Sequence, residues 1–245
     1  MVVWRRTKHK VRRGEAALRA LAGLPSGRVL DAPCGEGTLA RELARVGYQV
    51  WACDLNPMVF TATEGIRFDA VDLNGRLPYP DAYFDAVVSL EGIEHLELPA
   101  VCISEFARVL RPGGRLVLST PNVNNIQSRL EYFLTGRFSG FKTLTRRALE
   151  LPDGHPRWHI TVPYLPTLAF LLTRCGLELE SVEITMVKTK QWLLLPLAFP
   201  LWLAGRRASR GGLARLLASW RLLLGRSVVV RARKGGAPDP ASGAR

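Results

Sequence analysis

With 245 residues, 47% of them hydrophobic, the chain can bury one sizeable core, and it is expected to form one domain with additions rather than two independent units. Its four cysteines, Cys34, Cys53, Cys102 and Cys175, show no Cys-x-x-Cys spacing, which argues against a zinc ribbon or a disulfide-stapled fold and points to a reducing, cytoplasmic setting. The net charge of +13 is concentrated at the ends, with +6 on residues 1–13, +11 on residues 188–245 and −4 on residues 14–187, so the partner to expect is polyanionic: an anionic membrane surface or nucleic acid.

Taken in order, the N-terminus lacks an apolar run long enough for a signal peptide. Residues 11–23 predict an amphipathic helix through Val11, Ala16, Leu18 and Leu21, stopped by Gly23-Leu24-Pro25. The stretch 29–40 (Val-Leu-Asp-Ala-Pro-Cys-Gly-Glu-Gly-Thr-Leu-Ala) predicts a buried strand over 28–32, a glycine turn, and a helix from near Thr38 with Leu39, Leu43 and Val46 on one face. Strand, tight turn and helix in that order build a nucleotide site, because the glycines admit close backbone approach and the helix N-terminus offers free N–H groups. Gly35-x-Gly37-x-x-Ala40, with Asp54 at the end of the next strand, also fits the dinucleotide fingerprint. Asp31 discriminates: a carboxylate beside the glycine turn repels a pyrophosphate and welcomes a cationic ligand without phosphate.

This stretch resembles motif I of the class I S-adenosylmethionine (SAM)-dependent methyltransferases, and departs from it at Pro33, where that family more often has glycine. SAM, with its ammonium and sulfonium charges, is the ligand the resemblance implies. The implied fold is α/β and Rossmann-like, a seven-stranded, mostly parallel sheet in the order 3-2-1-4-5-7-6 flanked by helices. The second strand, 49–53, ends at Asp54, whose carboxylate would accept the ribose hydroxyls. The third, 66–70, follows so soon that the crossover must be abbreviated, and Asp72-Leu73 stands where the family places an acid on the adenine amino group. Residues 77–89 resemble the loop into the fourth strand, which leads to Leu90-Glu91-Gly92-Ile93-Glu94-His95. A helix over 99–110 and Leu110-Arg111-Pro112-Gly113-Gly114 introduce the fifth strand. The implied cofactor residues are Asp31, Ala32, Pro33, Cys34, Gly35, Gly37, Asp54, Leu55, Asp72, Leu73, Leu90 and Glu91.

Residues 123–163 read as an insertion roofing the acceptor pocket, followed by a helix over 164–175, a strand over 177–186 and a last, antiparallel strand over 227–233. The expected organisation is a basic helix covering the cofactor (1–26), the methyltransferase core (27–187), an apolar and basic insertion (188–226), the last strand (227–234) and a disordered tail (235–245). Methyl transfer needs positioning above all, and a base only where the acceptor must lose a proton. Glu94, His95 and His159 are the catalytic candidates. Glu-x-x-Glu-His also resembles the ubiquinone-biosynthesis O-methyltransferases, in which such residues are associated with a divalent metal. The metal set here would be Glu91, Glu94 and His95; the competing role is to fix the loop.

The apolar run 192–204 is too short to span a bilayer, and its two prolines disfavour a straight helix. Leu213, Leu216, Leu217, Trp220, Leu223 and Leu224 then form an amphipathic stripe with cationic flanks, readable as an interfacial anchor or as a lid or dimer contact. The expected function is SAM-dependent O-methylation of an amphiphilic small molecule or lipid-like acceptor, with S-adenosylhomocysteine as product, peripherally on the inner face of the membrane. RNA methylation and non-catalytic SAM binding at a membrane are the alternatives, and the oligomeric state stays open.

Overall fold

The computed structural model describes residues 13–62, 65–141, 159–187, 193–208, 212–217 and 219–236. Most of the basic N-terminal segment, His155 and Trp158 of the roof, and the tail from 237 lie outside these residues. Residues 13–21 form helix α1 and precede β1 (Arg28–Asp31), α2 (Thr38–Arg45), β2 (Gln49–Asp54) and β3 (Arg67–Ala70). Next come β4 (Phe84–Leu90), α3 (Pro99–Val109), β5 (Leu110–Pro121), α4 (Ile126–Thr135), α5 (Leu165–Arg174) and β6 (Leu177–Val187). The chain continues through α6 (Leu195–Ala208), α7 (Gly212–Leu217) and α8 (Trp220–Leu224) to β7 (Gly225–Lys234).

The strands form one sheet in the order β3-β2-β1-β4-β5-β7-β6, parallel except for β7, which runs antiparallel to both β5 and β6. Both the expected order and the abbreviated second crossover are observed: among the described residues the helical structure between β2 and β3 is the 3-10 turn Pro57–Val59. The alternation of strand side chains builds two cores. Leu30, Trp51, Val87, Leu116 and Val230 join α3 and α5 on one face. Val29, Val50, Val88, Val117 and Val229 join Ala17 and Leu21 of α1 and Leu43 of α2 on the other. With helices on both faces, the carboxyl ends of the parallel strands open at one edge, where the order switches between β1 and β4.

The segment before β7 departs from the sequence reading. Residues 195–208 are helical although Pro200 lies inside α6 and Pro196 in its first turn. The single amphipathic helix expected over 213–224 is instead broken into α7 and α8, with Ser219 capping the second by accepting from the Leu222 N–H. Leu222, Leu223 and Leu224 are buried, and Leu216 and Leu217 pack on the core. The described part of that stripe faces inward. The exposed apolar side chains of the segment are Leu193, Leu197, Phe199 and Leu201. Among the described residues no helix is long and apolar enough to cross a membrane.

Candidate active site

A cleft of about 320 Å³ opens at the carboxyl end of the parallel strands. Asp31, the last residue of β1, is only 1% exposed there. Burial pushes its carboxyl up to about 8, opposed by the Ala40 backbone N–H and reinforced by nearby Asp54. Its Oδ2 has no hydrogen-bond partner among the described residues. An orphaned buried carboxylate oxygen is costly until a donor reaches it, and a cationic donor relieves both the missing bond and the missing countercharge.

The turn that follows brings backbone close to this carboxylate. Gly35 lies at φ 52° and its N–H donates to Asp54 Oδ2 at 2.9 Å, while Asp54 Oδ1 accepts from the Asn56 N–H at 3.2 Å. These bonds pin the carboxylate yet leave lone pairs for hydroxyl donors. Gly37 starts α2 at φ 75°, and an added Cβ would come within 2.6 Å of Ala62 and 2.7 Å of Phe60. Pro33, the departure from the family motif, follows a cis peptide bond and packs its ring where a Cβ on Gly92 would stand, 2.3 Å from Cδ.

Of the expected cofactor residues, Asp31, Pro33, Cys34, Gly35, Asp54, Leu90 and Glu91 line the cleft. Ala32 and Leu73 are core residues, and Leu55 is 45% exposed outside the lining. Asp72 is exposed, accepting from the backbone and side chain of Asn74 at 2.8 and 3.0 Å, and does not reach the cleft. The lining also includes residues that motif reasoning missed: Arg13 and Gly14 of α1, and Glu36, Thr38, Leu39 and Glu42 around α2. A helix before the first strand was legible in the sequence; which of its side chains line the cleft was not.

At the end of β4 the expected catalytic residues separate into two environments. Glu91 adopts φ 53°, the left-handed region uncommon for a residue with a Cβ. Its carboxylate lies 3.3 Å from the Arg13 guanidinium and accepts from Ser119 Oγ at 3.2 Å. Burial raises the Glu91 carboxyl and Arg13 opposes that rise. Glu94 is fully buried; its Oε2 accepts from Thr120 Oγ1 at 3.1 Å, and Oε1 has no hydrogen-bond partner among the described residues. Burial, with the Glu91 charge adding to it, pushes Glu94 up to about 8. The Glu94 carbonyl accepts from the Ile160 and Thr161 N–H groups at 2.8 and 3.1 Å, which draws His159 to within 4.9 Å of His95, ring to ring. Burial and His95 lower His159 to about 4, so its imidazole is neutral at pH 7.

Donor atoms of Glu94, His95 and His159 all lie within 4.8 Å of one another. Among the described residues the potential ligand group is thus Glu94, His95 and His159, while Glu91 of the expected set lies against Arg13 and Ser119. One carboxylate and two imidazoles are a donor set suited to zinc or a similar divalent ion. A second cavity, of about 180 Å³, is lined by His159, Gln127, Asn122 and Arg226 and shares Arg13 and Glu91 with the first. The site thus pairs an anionic, glycine-walled cleft with a polar chamber, and an ion pair stands at their boundary.

Residues 30–118 match the family described as a methyltransferase domain. The demethylmenaquinone methyltransferase of Beutenbergia cavernae is 39% identical over 112 residues, 43% of this chain and 47% of that protein. The ubiquinone biosynthesis O-methyltransferase of Xylella fastidiosa is 39% identical over 110 residues, 40% of this chain and 44% of that protein. The chain thus spans less than half the length of these curated relatives. A SAM-dependent methyltransferase from Archaeoglobus fulgidus superposes with a TM-score of 0.59 at 18% identity, covering 91% of this chain and 93% of that one, a likeness of fold alone. Asp31 and the glycine turn lie inside the segment that matches the methyltransferase domain, and they sit on a sheet of the order β3-β2-β1-β4-β5-β7-β6.

Proposed function

We propose that the protein transfers a methyl group from SAM to an oxygen of an amphiphilic small molecule. The observation that carries the cofactor half is Asp31, a buried carboxyl with an oxygen lacking a partner among the described residues, beside the glycine turn. In this reading Asp31 takes the ligand's ammonium group, the backbone at Gly35 admits the chain of the ligand, and Asp54 accepts the ribose hydroxyls. When bound, SAM supplies an activated methyl electrophile, so what remains for the protein is alignment and proton removal. Glu91 and Arg13 hold the boundary between cofactor and acceptor. Neutral His159, which lines the acceptor chamber, is suited to take the acceptor's proton, and Glu94, its carboxyl near 8, lines neither cavity and would receive that proton by way of His159, whose donor atom lies within 4.8 Å. Where the reaction uses a divalent ion, Glu94, His95 and His159 would hold it, and the ion would lower the pKa of the bound hydroxyl.

Relatives named for ubiquinone biosynthesis and for demethylmenaquinone support an acceptor of the quinone-precursor class. Peripheral membrane association is supported by the exposed run Leu193, Leu197, Phe199 and Leu201 followed by Arg206 and Arg207 at the end of α6. Trp202 stacks on Trp220 at 5.2 Å, which fastens this helix to α8, and within α6 the Arg206 guanidinium lies 5.3 Å from the Trp202 ring. Calorimetric titration with SAM, S-adenosylhomocysteine and NAD tests the cofactor assignment. Micromolar binding of the adenosyl ligands without NAD binding is expected, and tighter binding of NAD would overturn it.

A further inference from the structure

The second cavity is smaller than the roughly 300 Å³ at which sites begin to enclose a whole drug-sized ligand, so its 180 Å³ suits only the reacting end of an acceptor. Its charges do not cancel. Glu91 is matched by Arg13 at 3.3 Å. Arg226 remains: it lines the chamber, and among the described residues its side chain has no hydrogen bond or ion pair, only longer-range effects on Glu91 and Arg13. Its backbone is fixed. The Asn122 N–H donates to the Arg226 carbonyl at 2.8 Å, and Asn122 Nδ2 donates to the Leu222 and Gly225 carbonyls at 2.7 and 2.8 Å. Arg226 is therefore delivered to the chamber from the second residue of β7, locked to the end of β5, and alternation along β7 turns it away from the core.

We infer that Arg226 recognises an anionic group, a carboxylate or a phosphate, on the methyl acceptor. Arg226 is exposed at the mouth of the cavity, and its guanidinium presents a planar fork of donors that fits either anion with two parallel hydrogen bonds, a contact that favours an anion over an uncharged analogue. A group held there keeps the acceptor next to Glu91 and His159, which line the same chamber. The inference rests on the methyltransferase reading.

The test uses the full chain saturated with S-adenosylhomocysteine, titrated calorimetrically with 4-hydroxyphenylacetate, with its uncharged amide 4-hydroxyphenylacetamide, and with 4-hydroxyphenyl phosphate. At least one anion should bind about tenfold more tightly than the amide; Arg226→Gln should erase that preference and Arg226→Lys should retain part of it. S-adenosylhomocysteine affinity should be unchanged in both variants, because Arg226 does not line the first cleft. The stronger anion, and a parallel titration with phosphatidylcholine vesicles containing or lacking phosphatidic acid, separate a soluble carboxylate from a phosphorylated lipid headgroup. Equal affinity for anions and amide, no saturable binding of either, or a preference that survives Arg226→Gln overturns the inference while the cofactor reading stands. Failure of S-adenosylhomocysteine to bind overturns both.

Discussion

Asp31→Asn should make the unliganded protein more stable while crippling its cofactor site. The substitution keeps size and shape and removes only the ability to ionise. Burial holds the Asp31 carboxyl at about 8, against 3.8 for an unperturbed one. Between those values the folded protein retains a proton that the unfolded chain has lost, so rising pH costs the wild type stability, at about 1.36 kcal/mol per pH unit for one proton. From pH 5 to pH 7 the advantage of Asp31→Asn should widen by roughly 2.7 kcal/mol and level off above about 8. Urea denaturation of both proteins at half-unit pH steps measures this difference and cancels the titration of other buried acids. Ligand binding runs the other way. If a cation must meet an ionised Asp31, wild-type SAM affinity should weaken about tenfold per pH unit below 8, and Asp31→Asn should bind at least about 100-fold more weakly with no such dependence. A stability difference that does not change with pH, or undiminished SAM affinity in the variant, would refute the reasoning.

Three further outcomes follow from the same geometry. If Glu94 receives the proton by way of His159, methyl transfer should rise with pH to a plateau above about 8; a plateau from about pH 5 would assign the proton to His159 alone, whose imidazole is already neutral there. Gly92→Ala should lower stability by about 1–3 kcal/mol, read as a drop of several degrees in thermal midpoint, because its Cβ would stand 2.3 Å from Pro33 Cδ; an unchanged midpoint would show that the Pro33 ring is not held there. Replacing exposed Leu197, Phe199 and Leu201 together by Glu should abolish flotation with anionic liposomes while leaving S-adenosylhomocysteine affinity and thermal midpoint nearly intact; retained flotation would remove α6 from the membrane reading.

Deleting the whole region 192–224 would be a poor version of that last test. Leu222, Leu223, Leu224 and Ala198 are buried, so their removal would open the core as well as the surface. The leucine spacing announces an apolar stripe and is silent about what covers it, because a helix packed on its own domain and one lying on a bilayer share the same period. The described leucines of that stripe were drawn inward, and the exposed apolar face falls on α6, where Pro200 argued against a helix. Asp72 also makes a bond that the motif does not announce, accepting from the Asn74 N–H two residues on, as Asp does readily in a loop.

The sequence by itself determined the parts of the site that are local. Asp31, the glycine turn and α2 are consecutive, Asp54 ends the adjacent parallel strand, and the alternation of apolar runs with helical stretches implies the sheet whose strand ends carry them. Tertiary structure alone decided the parts that meet across the chain. His159 joins Glu94 and His95 through backbone bonds from Ile160 and Thr161 to Glu94, Arg13 meets Glu91 from the N-terminal helix, and Arg226 lines the second cavity from the seventh strand. No periodicity encodes these meetings. They follow from how the loops beyond the sheet satisfy their buried backbone groups and charges, and that becomes definite only when the elements have packed.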